Sequence, residues 1–147
     1  MLEKLSKKDV FASPNIQAEK SEFERVAKKF GIDVSVLTFL AERYGKLTEL
    51  NDDIWSQLKN TDSYKVPVDG HDTAEIYATI AGRNYHAVAE AVYAGVSLGK
   101  QLDAPIIIKC GEEYHLVSGN TRLMATRAYG VIPNVWIFEV DKNEALV

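Results

Sequence analysis

One stretch of this chain constrains its fold more than any other: EYHLVSGNTRLMATRAYG, residues 113–130. Apolar and polar residues alternate up to Ser118, as in a strand, and after Gly119 the apolar spacing becomes that of a helix. A strand that passes directly into a helix through glycine indicates a mixed α/β fold. Arg122 falls in the first turn of that helix, where unpaired N–H groups already carry about half a positive charge. A positive side chain at this place predicts an anionic ligand.

Length and charge exclude several classes of protein. The chain has 147 residues, of which 46% are hydrophobic, and this fits one compact domain with some appended structure. It carries 17 basic and 21 acidic side chains, a net charge of -4. Up to Asp62 there are 10 basic and 11 acidic residues, and after it 7 and 10, so neither part is basic. A general electrostatic attraction to nucleic acid or to an anionic membrane is therefore excluded, and any DNA contact must be local.

Cysteine usage and hydropathy indicate the compartment. The one cysteine, Cys110, cannot form a disulfide within the chain, and it excludes a zinc site built from several cysteines. The N-terminus lacks the apolar segment of a signal peptide, and no apolar run approaches the roughly 18 residues of a membrane span. We expect a cytoplasmic protein without a membrane partner. No spacing of His, Asp and Glu marks a metal site.

The chain divides into three parts that differ in composition and in the spacing of their apolar residues. Residues 1–20 mix charges with Ser-Pro-Asn and show no period, so we expect a flexible arm. Residues 21–62 contain three short amphipathic helices, which we predict to form a helical cap. The predicted N-terminal caps of these helices are Ser21 with Glu24, Asp33, and Asn51.

Residues 63–147 form the third part, a mixed domain. YKVPVD, from residue 64, alternates like a short strand, and two helices that begin near Asp72 and Asn84 follow it. PIIIKC and EYHLVS then predict paired strands, and after a helix at 120–129 the run NVWIFEV predicts a closing strand. The predicted fold class is thus mixed α/β (α+β), with one small domain behind an N-terminal helical cap.

The turn of residues 118–122 carries anion-binding chemistry. Gly119 lets the backbone approach a ligand closely, while Thr121 and Arg122 supply side-chain donors. The N–H groups at a helix start and a forked guanidinium act together on a phosphate. The candidate phosphate-binding or nucleotide-binding residues are Ser118, Gly119, Asn120, Thr121 and Arg122. The turn alone leaves a second interpretation open, in which Arg122 is a surface residue beside an ordinary capped helix.

The order of these elements resembles the ParB/sulfiredoxin-like superfamily over about residues 64–141. In that family a P-I-V-V strand leads to Y-x-L-V-x-G-x-x-R and to an Ala-rich helix that ends in Gly. The matching residues here are Pro105 to Ile108, Tyr114, Leu116, Val117, Gly119, Arg122, Ala125, Ala128 and Gly130. The resemblance implies a small mixed α/β domain whose G-x-x-R turn holds a nucleotide or another phosphate group.

Two departures from the family pattern reduce the number of reactions that we expect. Sulfiredoxins place their reactive cysteine directly after the glycine, where this chain has Asn120, so sulfiredoxin chemistry is not expected. We interpret Cys110 as a small, half-buried hydrophobic residue. ParB partition proteins bind CTP but also carry a helix-turn-helix after this domain, for which the chain is too short. The ligand we expect is a nucleoside triphosphate, ATP or CTP, with or without Mg²⁺.

A second polar cluster follows the first strand of the mixed domain. Asp69, His71 and Asp72 are candidate catalytic residues, because a carboxylate can accept a proton or hold Mg²⁺ and histidine titrates near neutral pH. Kinase-like relatives present an acidic base from this place. The alternative is local structure, since Asp72 with Glu75 suits a helix start and Asp69-Gly70 suits an ordinary turn.

Three functions stay open from the sequence. The first is phosphate chemistry, as an NTPase or phosphotransferase in which the turn holds phosphates and the acidic cluster assists. The second is a DNA-directed protein, either a nuclease or a regulator that reads DNA with the helix-turn-helix-like segment 26–45. That segment offers only Arg43 as a basic residue on its second helix, which weighs against DNA reading. The third is a non-catalytic interaction module of phage or mobile-element origin.

Overall fold

The structure is a computed structural model that describes residues 10–60, 71–80, 82–98 and 101–140. These residues confirm the predicted mixed α/β fold class, with six α-helices and two sheets. The helices are α1 (Lys20–Phe30), α2 (Val34–Tyr44), α3 (Asp52–Gln57), α4 (His71–Ile80), α5 (Tyr85–Leu98) and α6 (Asn120–Ala128), with a 3-10 helix at Ile16–Glu19. The strands are β1 (Phe11–Ala12), β2 (Lys46–Glu49), β3 (Lys59–Asn60), β4 (Leu102–Asp103), β5 (Ile106–Cys110), β6 (Glu113–Ser118) and β7 (Asn134–Val140). Within the described ranges, no helix combines the length and the apolar character needed to cross a membrane.

Five strands form the main sheet, in the order β2-β7-β5-β6-β3. The central strand β5 runs antiparallel to β6 and parallel to β7. The edge strand β2 is antiparallel to β7, and the opposite edge strand β3 is parallel to β6. The predicted pairing of PIIIKC with EYHLVS and the predicted closing strand NVWIFEV are confirmed.

Helices cover both faces of this sheet. The apolar cluster under α1 and α2 includes Ile106 and Ile108, and the cluster under α3 to α6 includes Ile107. All three isoleucines are fully buried, because a central strand covered on both faces hides successive side chains. The end of β6 and the start of α6 therefore rest on a layered core.

Two helix starts follow the local capping chemistry that the sequence predicts. At α2, a carboxylate oxygen of Asp33 accepts a hydrogen bond from Ser35 N at 2.8 Å. At α3, the amide oxygen of Asn51 accepts one from Ile54 N at 2.9 Å. Both predicted caps are confirmed, because each side chain satisfies a backbone donor that the helix leaves unpaired.

The N-terminal segment is built more closely into the fold than the sequence predicts. Of the expected flexible arm, residues 1–9 lie outside the described residues. The remaining stretch, 10–20, contains β1, which pairs with β4, the 3-10 helix and the first residue of α1. Phe11 is 1% exposed, so the apolar side chains of this segment are part of the core. Helix α1 continues from the 3-10 helix and has no side-chain cap, so the predicted capping box at Ser21 is wrong.

The predicted helical cap and the predicted mixed domain share one sheet. Strands β2 and β3 precede residue 62, yet they pair with β7 and β6. Trp136 of β7 also donates from Nε1 to the carbonyl of Ala41 on α2, at 3.0 Å. The described residues on both sides of the predicted boundary therefore form one packed unit. The strand predicted at YKVPVD lies in 61–70, outside the described residues.

Candidate anion-binding site at the start of helix α6

Helix α6 begins at a glycine whose backbone and surroundings both exclude a side chain. Gly119 has φ +96°, in the left-handed region that favours glycine. A Cβ at this position would lie 2.7 Å from Cβ of Pro105, the residue directly before β5. Part of the glycine requirement is therefore structural, since the turn packs closely against the neighbouring strand.

The first turn of α6 has backbone donors for which the described residues provide no side-chain acceptor. The first hydrogen bond of the helix runs from Leu123 N to Gly119 O, at 2.9 Å. The N–H groups of Asn120, Thr121 and Arg122 come before it and have no acceptor within an α-helix. No side-chain cap is present at this start. Together with the helix dipole, these donors place a partial positive charge at the turn.

Buried polar atoms without partners are concentrated in this turn. The described part of the chain contains seven buried side-chain nitrogen and oxygen atoms that lack a hydrogen-bond partner, and four of them belong to residues 118–122. These four are Ser118 Oγ, Asn120 Oδ1, Arg122 Nε and Arg122 Nη2. An unpaired buried polar group is destabilising by about 1–3 kcal/mol and is uncommon in native proteins. The turn therefore offers several hydrogen-bonding atoms to one ligand.

The guanidinium of Arg122 lies against the turn. Its Nη2 is 3.1 Å from the position that a Cβ on Gly119 would take. No described residue makes a hydrogen bond or an ion pair with it. Burial lowers the pKa of Arg122, while the carboxylates of Glu19 and Asp103 oppose this shift and Arg83 adds to it. Arginine stays protonated in proteins, so the site holds a positive charge that no described residue neutralises by a direct ion pair.

Ser118 and Asn120 add polar side chains on either side of the glycine. Ser118 ends β6 and is 7% exposed, and its hydroxyl can donate as well as accept. The buried atom of Asn120 is an acceptor, but a 180° rotation of the amide puts its NH₂ donor there instead. Thr121, also in this first turn, is half-buried. The structure thus brings all five sequence-predicted binding residues together.

The predicted catalytic cluster is not joined to this turn by any described contact. Asp69 lies outside the described residues, and His71 and Asp72 are the first two residues of α4, with side chains outside the described part. Helix α4 packs against α6. Among the described charges of this region, that of Arg83, which follows the opposite end of α4, acts on Arg122. The catalytic assignment of the three residues stays a prediction.

Four charged residues near the turn were not found from the sequence. Arg25 of α1 donates from Nη2 to the carbonyl of Val117, directly before the turn, at 3.1 Å. Glu19, Asp103 and Arg83 act on the guanidinium electrostatically. The four residues come from four separate places in the chain, so no linear spacing signals that they meet.

The second helix of the helix-turn-helix-like segment presents little positive charge. Helix α2 buries Leu37 and Ala41 against the sheet and leaves Phe39 56% exposed. Arg43 is the one basic residue of this helix, and Glu42 beside it is also exposed. A surface of this kind offers few contacts to a phosphate backbone.

Comparison with known proteins assigns no function to this site. No protein-family model, no curated protein and no solved structure matches the chain. Among residues 10–60, 71–80, 82–98 and 101–140, no group of three His, Cys, Asp or Glu side chains is arranged to hold a metal ion. The function is therefore inferred from the turn and its surroundings.

Proposed function

We propose that this chain is a phosphate-binding domain whose ligand is a nucleoside triphosphate, ATP or CTP, held at the start of α6. One observation carries the proposal: four unpartnered polar atoms surround a helix start that has no cap and that carries Arg122 in its first turn. The resemblance of this strand, turn and helix to the ParB/sulfiredoxin-like superfamily supports the same class of ligand.

Each part of the turn suits a different interaction with a phosphate. The backbone N–H groups at the helix start favour an anion. The guanidinium of Arg122 can fork onto two oxygens, and Ser118 can donate a further hydrogen bond. Because the turn is partly buried, these interactions are screened less than they would be at the surface. A phosphate group would therefore satisfy several of the unpartnered atoms at once.

We propose NTP hydrolysis or phosphoryl transfer as the reaction, with Asp69, His71 or Asp72 as the proton acceptor. Residue type supports this part, since a carboxylate or imidazole can take the proton of an attacking hydroxyl or water. Mg²⁺, if the nucleotide brings it, supplies charge neutralisation. A residue with this role should affect turnover more than nucleotide affinity when it is replaced.

A thermal-shift series tests the binding proposal. Inorganic phosphate, ATP and CTP are each added to the full chain in a chelator and in Mg²⁺, and the melting temperature is compared with that of the free protein. A ligand that binds only the folded state stabilises it by mass action, by about 2.7 kcal/mol at a hundredfold excess over Kd. We expect a rise with nucleotide. No rise at millimolar nucleotide in either medium would contradict the proposal.

A further inference from the structure

Two carboxylates lie beside the candidate site. Asp103 ends β4, two residues before Pro105, which crowds against Gly119. Its Oδ2 accepts a hydrogen bond from the backbone N of Asn15 at 3.3 Å, and this bond holds the 3-10 helix beside β4. Glu19 is the last residue of that 3-10 helix. Two separate elements, the 3-10 helix and β4, thus each contribute an acidic residue whose charge acts on Arg122.

Both carboxylates act on Arg122 without pairing with it. Each favours the charged guanidinium, and so opposes the burial that lowers the pKa of Arg122. No ion pair within 4.0 Å joins Arg122 to an acidic side chain of the described chain. The enclosed hydroxyl of Ser118 and two guanidinium nitrogens stay without hydrogen-bond partners. The carboxylates therefore compensate the positive charge from a distance and leave the hydrogen bonds of the turn available.

From this arrangement we infer that Glu19 and Asp103 are selectivity residues of the phosphate site, which balance the charge of Arg122 before a ligand binds and repel the ligand when it enters. This inference rests on the proposed phosphate-binding function. Coulomb repulsion grows with the charge of the ligand, so the two carboxylates discriminate most strongly against highly charged free anions. The site therefore favours a phosphate ligand whose charge is partly neutralised over a bare triphosphate.

Two substitutions that preserve shape test the inference. Glu19→Gln and Asp103→Asn each remove one negative charge, and the new amide oxygen at position 103 can still accept from Asn15 N. Isothermal titration with ATP in EDTA should show binding about threefold to tenfold tighter in each variant. Inorganic phosphate, which carries less charge, should show a smaller gain. Glu24→Gln is the matched control, because it removes the same charge from an exposed residue of α1, and its affinity should equal that of the wild type.

Melting temperatures without ligand give the second readout. Both variants should melt below the Glu24→Gln control, because Arg122 loses part of its charge compensation. Lower melting temperatures with unchanged ATP affinity would make the carboxylates structural partners only and would overturn this inference. Equal or weaker ATP binding in the variants overturns it as well and leaves the phosphate site standing. If none of the proteins binds ATP or phosphate, the proposed function falls, and this inference falls with it.

Discussion

Helices α3 and α6 begin in opposite ways. At α3, the side chain of Asn51 accepts a hydrogen bond from Ile54 N, and two aspartates follow in the first turn. At α6, Gly119 provides no cap, no acidic residue follows, and Arg122 occupies the first turn. The first arrangement satisfies a backbone donor and complements the helix dipole, and the second does neither.

The comparison of the two helix starts shows that the start of α6 is the less stable one. Loss of an N-terminal cap lowers the stability of a protein by typically about 1 kcal/mol. A cation near a helix N-terminus lowers it by roughly 0.3–1 kcal/mol. Both helices contribute to the same apolar cluster, so the contrast does not follow from the face of the sheet on which they pack. A ligand that supplies the missing negative charge accounts for the start of α6, which supports the proposed phosphate site.

The largest effect on the start of α6 is expected from substitution of Gly119. Gly119→Ala places a Cβ 2.7 Å from Cβ and 2.8 Å from Cα of Pro105, on a backbone with φ +96°. Left-handed strain of about 1–2 kcal/mol and the steric clash should together lower the free energy of unfolding by about 2–4 kcal/mol. Urea denaturation measures this loss. Gly82→Ala is the control, because Gly82 has φ +72° but no atom within 4 Å of the new Cβ. Equal losses would show that crowding against Pro105 does not matter.

Arg122→Ala should separate binding from stability. We expect ATP affinity to fall by about 1.5–3 kcal/mol, roughly tenfold or more, which is the scale of a charge-assisted hydrogen bond. The free energy of unfolding should stay unchanged or rise by up to about 1 kcal/mol, because a cation is removed from a helix start. Titration calorimetry and urea denaturation measure the two quantities. A destabilised variant with unchanged affinity would identify Arg122 as a structural residue.

Arg127 provides the matched control on the same helix. Its guanidinium is 2.9 Å from a carboxylate oxygen of Asp52 and lies over the ring of Trp55 at 5.2 Å. Arg127→Ala should lower the free energy of unfolding by about 0.5–1.5 kcal/mol and leave ATP affinity unchanged. A loss of ATP affinity in Arg127→Ala would mean that any positive charge on α6 contributes to binding. Arg122 would then have no special role.

His115 shows that unpartnered burial does not always mark a binding site. It is 6% exposed, and neither ring nitrogen has a hydrogen-bond partner among the described residues. The ring of Phe30 lies 4.9 Å away, and Glu113 Oε1 is 3.6 Å from Nε2, too far for a hydrogen bond. Burial lowers the pKa of His115, and Lys29 and Lys59 lower it further, against the effect of Glu113. Burial thus favours the neutral form of this imidazole, which lies within β6 and not at a helix start.

Acid sensitivity is therefore expected from His115. Because its pKa is lower in the folded than in the unfolded state, the unfolded chain binds more protons below about pH 6.5. The free energy of unfolding should fall as the pH drops from about 6.5 towards 5, by at most about 1.4 kcal/mol per pH unit. Urea denaturation at several pH values should show a flatter profile for His115→Leu. The control His86→Leu, at an exposed residue paired with Glu75, should keep the wild-type slope, and equal slopes in both variants would contradict the assignment.

The smallest effect is expected at the capped helix. Asn51→Ala removes the acceptor for Ile54 N and should lower the free energy of unfolding by about 1 kcal/mol, whereas Asn51→Gly should cost only a few tenths. ATP affinity should not change in either variant. Equal stability of Asn51→Ala and the wild type would remove the energetic basis of the contrast between α3 and α6.

Local signals made much of the fold predictable. Asp33 and Asn51 cap their helices with their own side chains, and the alternation along β6 and its break at Gly119 are visible in the linear sequence. The five candidate binding residues are contiguous, so one turn places them together without knowledge of the tertiary structure.

Features that depend on distant partners were not predictable. The edge strand β2 consists of KLTE, four exposed residues with no alternation, and it is a strand because it pairs with β7. Strand β1 exists through its pairing with β4. Glu19 and Asp103 meet near the turn only because the 3-10 helix is held to β4. The strand propensities of the residues do not predict such short segments, because pairing with distant strands determines their conformation.

The pairing of β1 with β4 also bears on when the site forms during folding. The bond from Asn15 N to Asp103 Oδ2 joins residues 88 positions apart, whereas the β5–β6 hairpin and the start of α6 arise from neighbouring residues. Closing a long loop costs chain entropy and slows the contacts that depend on it. We therefore expect the turn and Asp103, which are close in sequence, to come together early in folding, and Glu19, which is about a hundred residues from the turn, to join them later. A folding intermediate that lacks the N-terminal pairing would carry the phosphate turn without the carboxylate of Glu19, one of the two that act on Arg122.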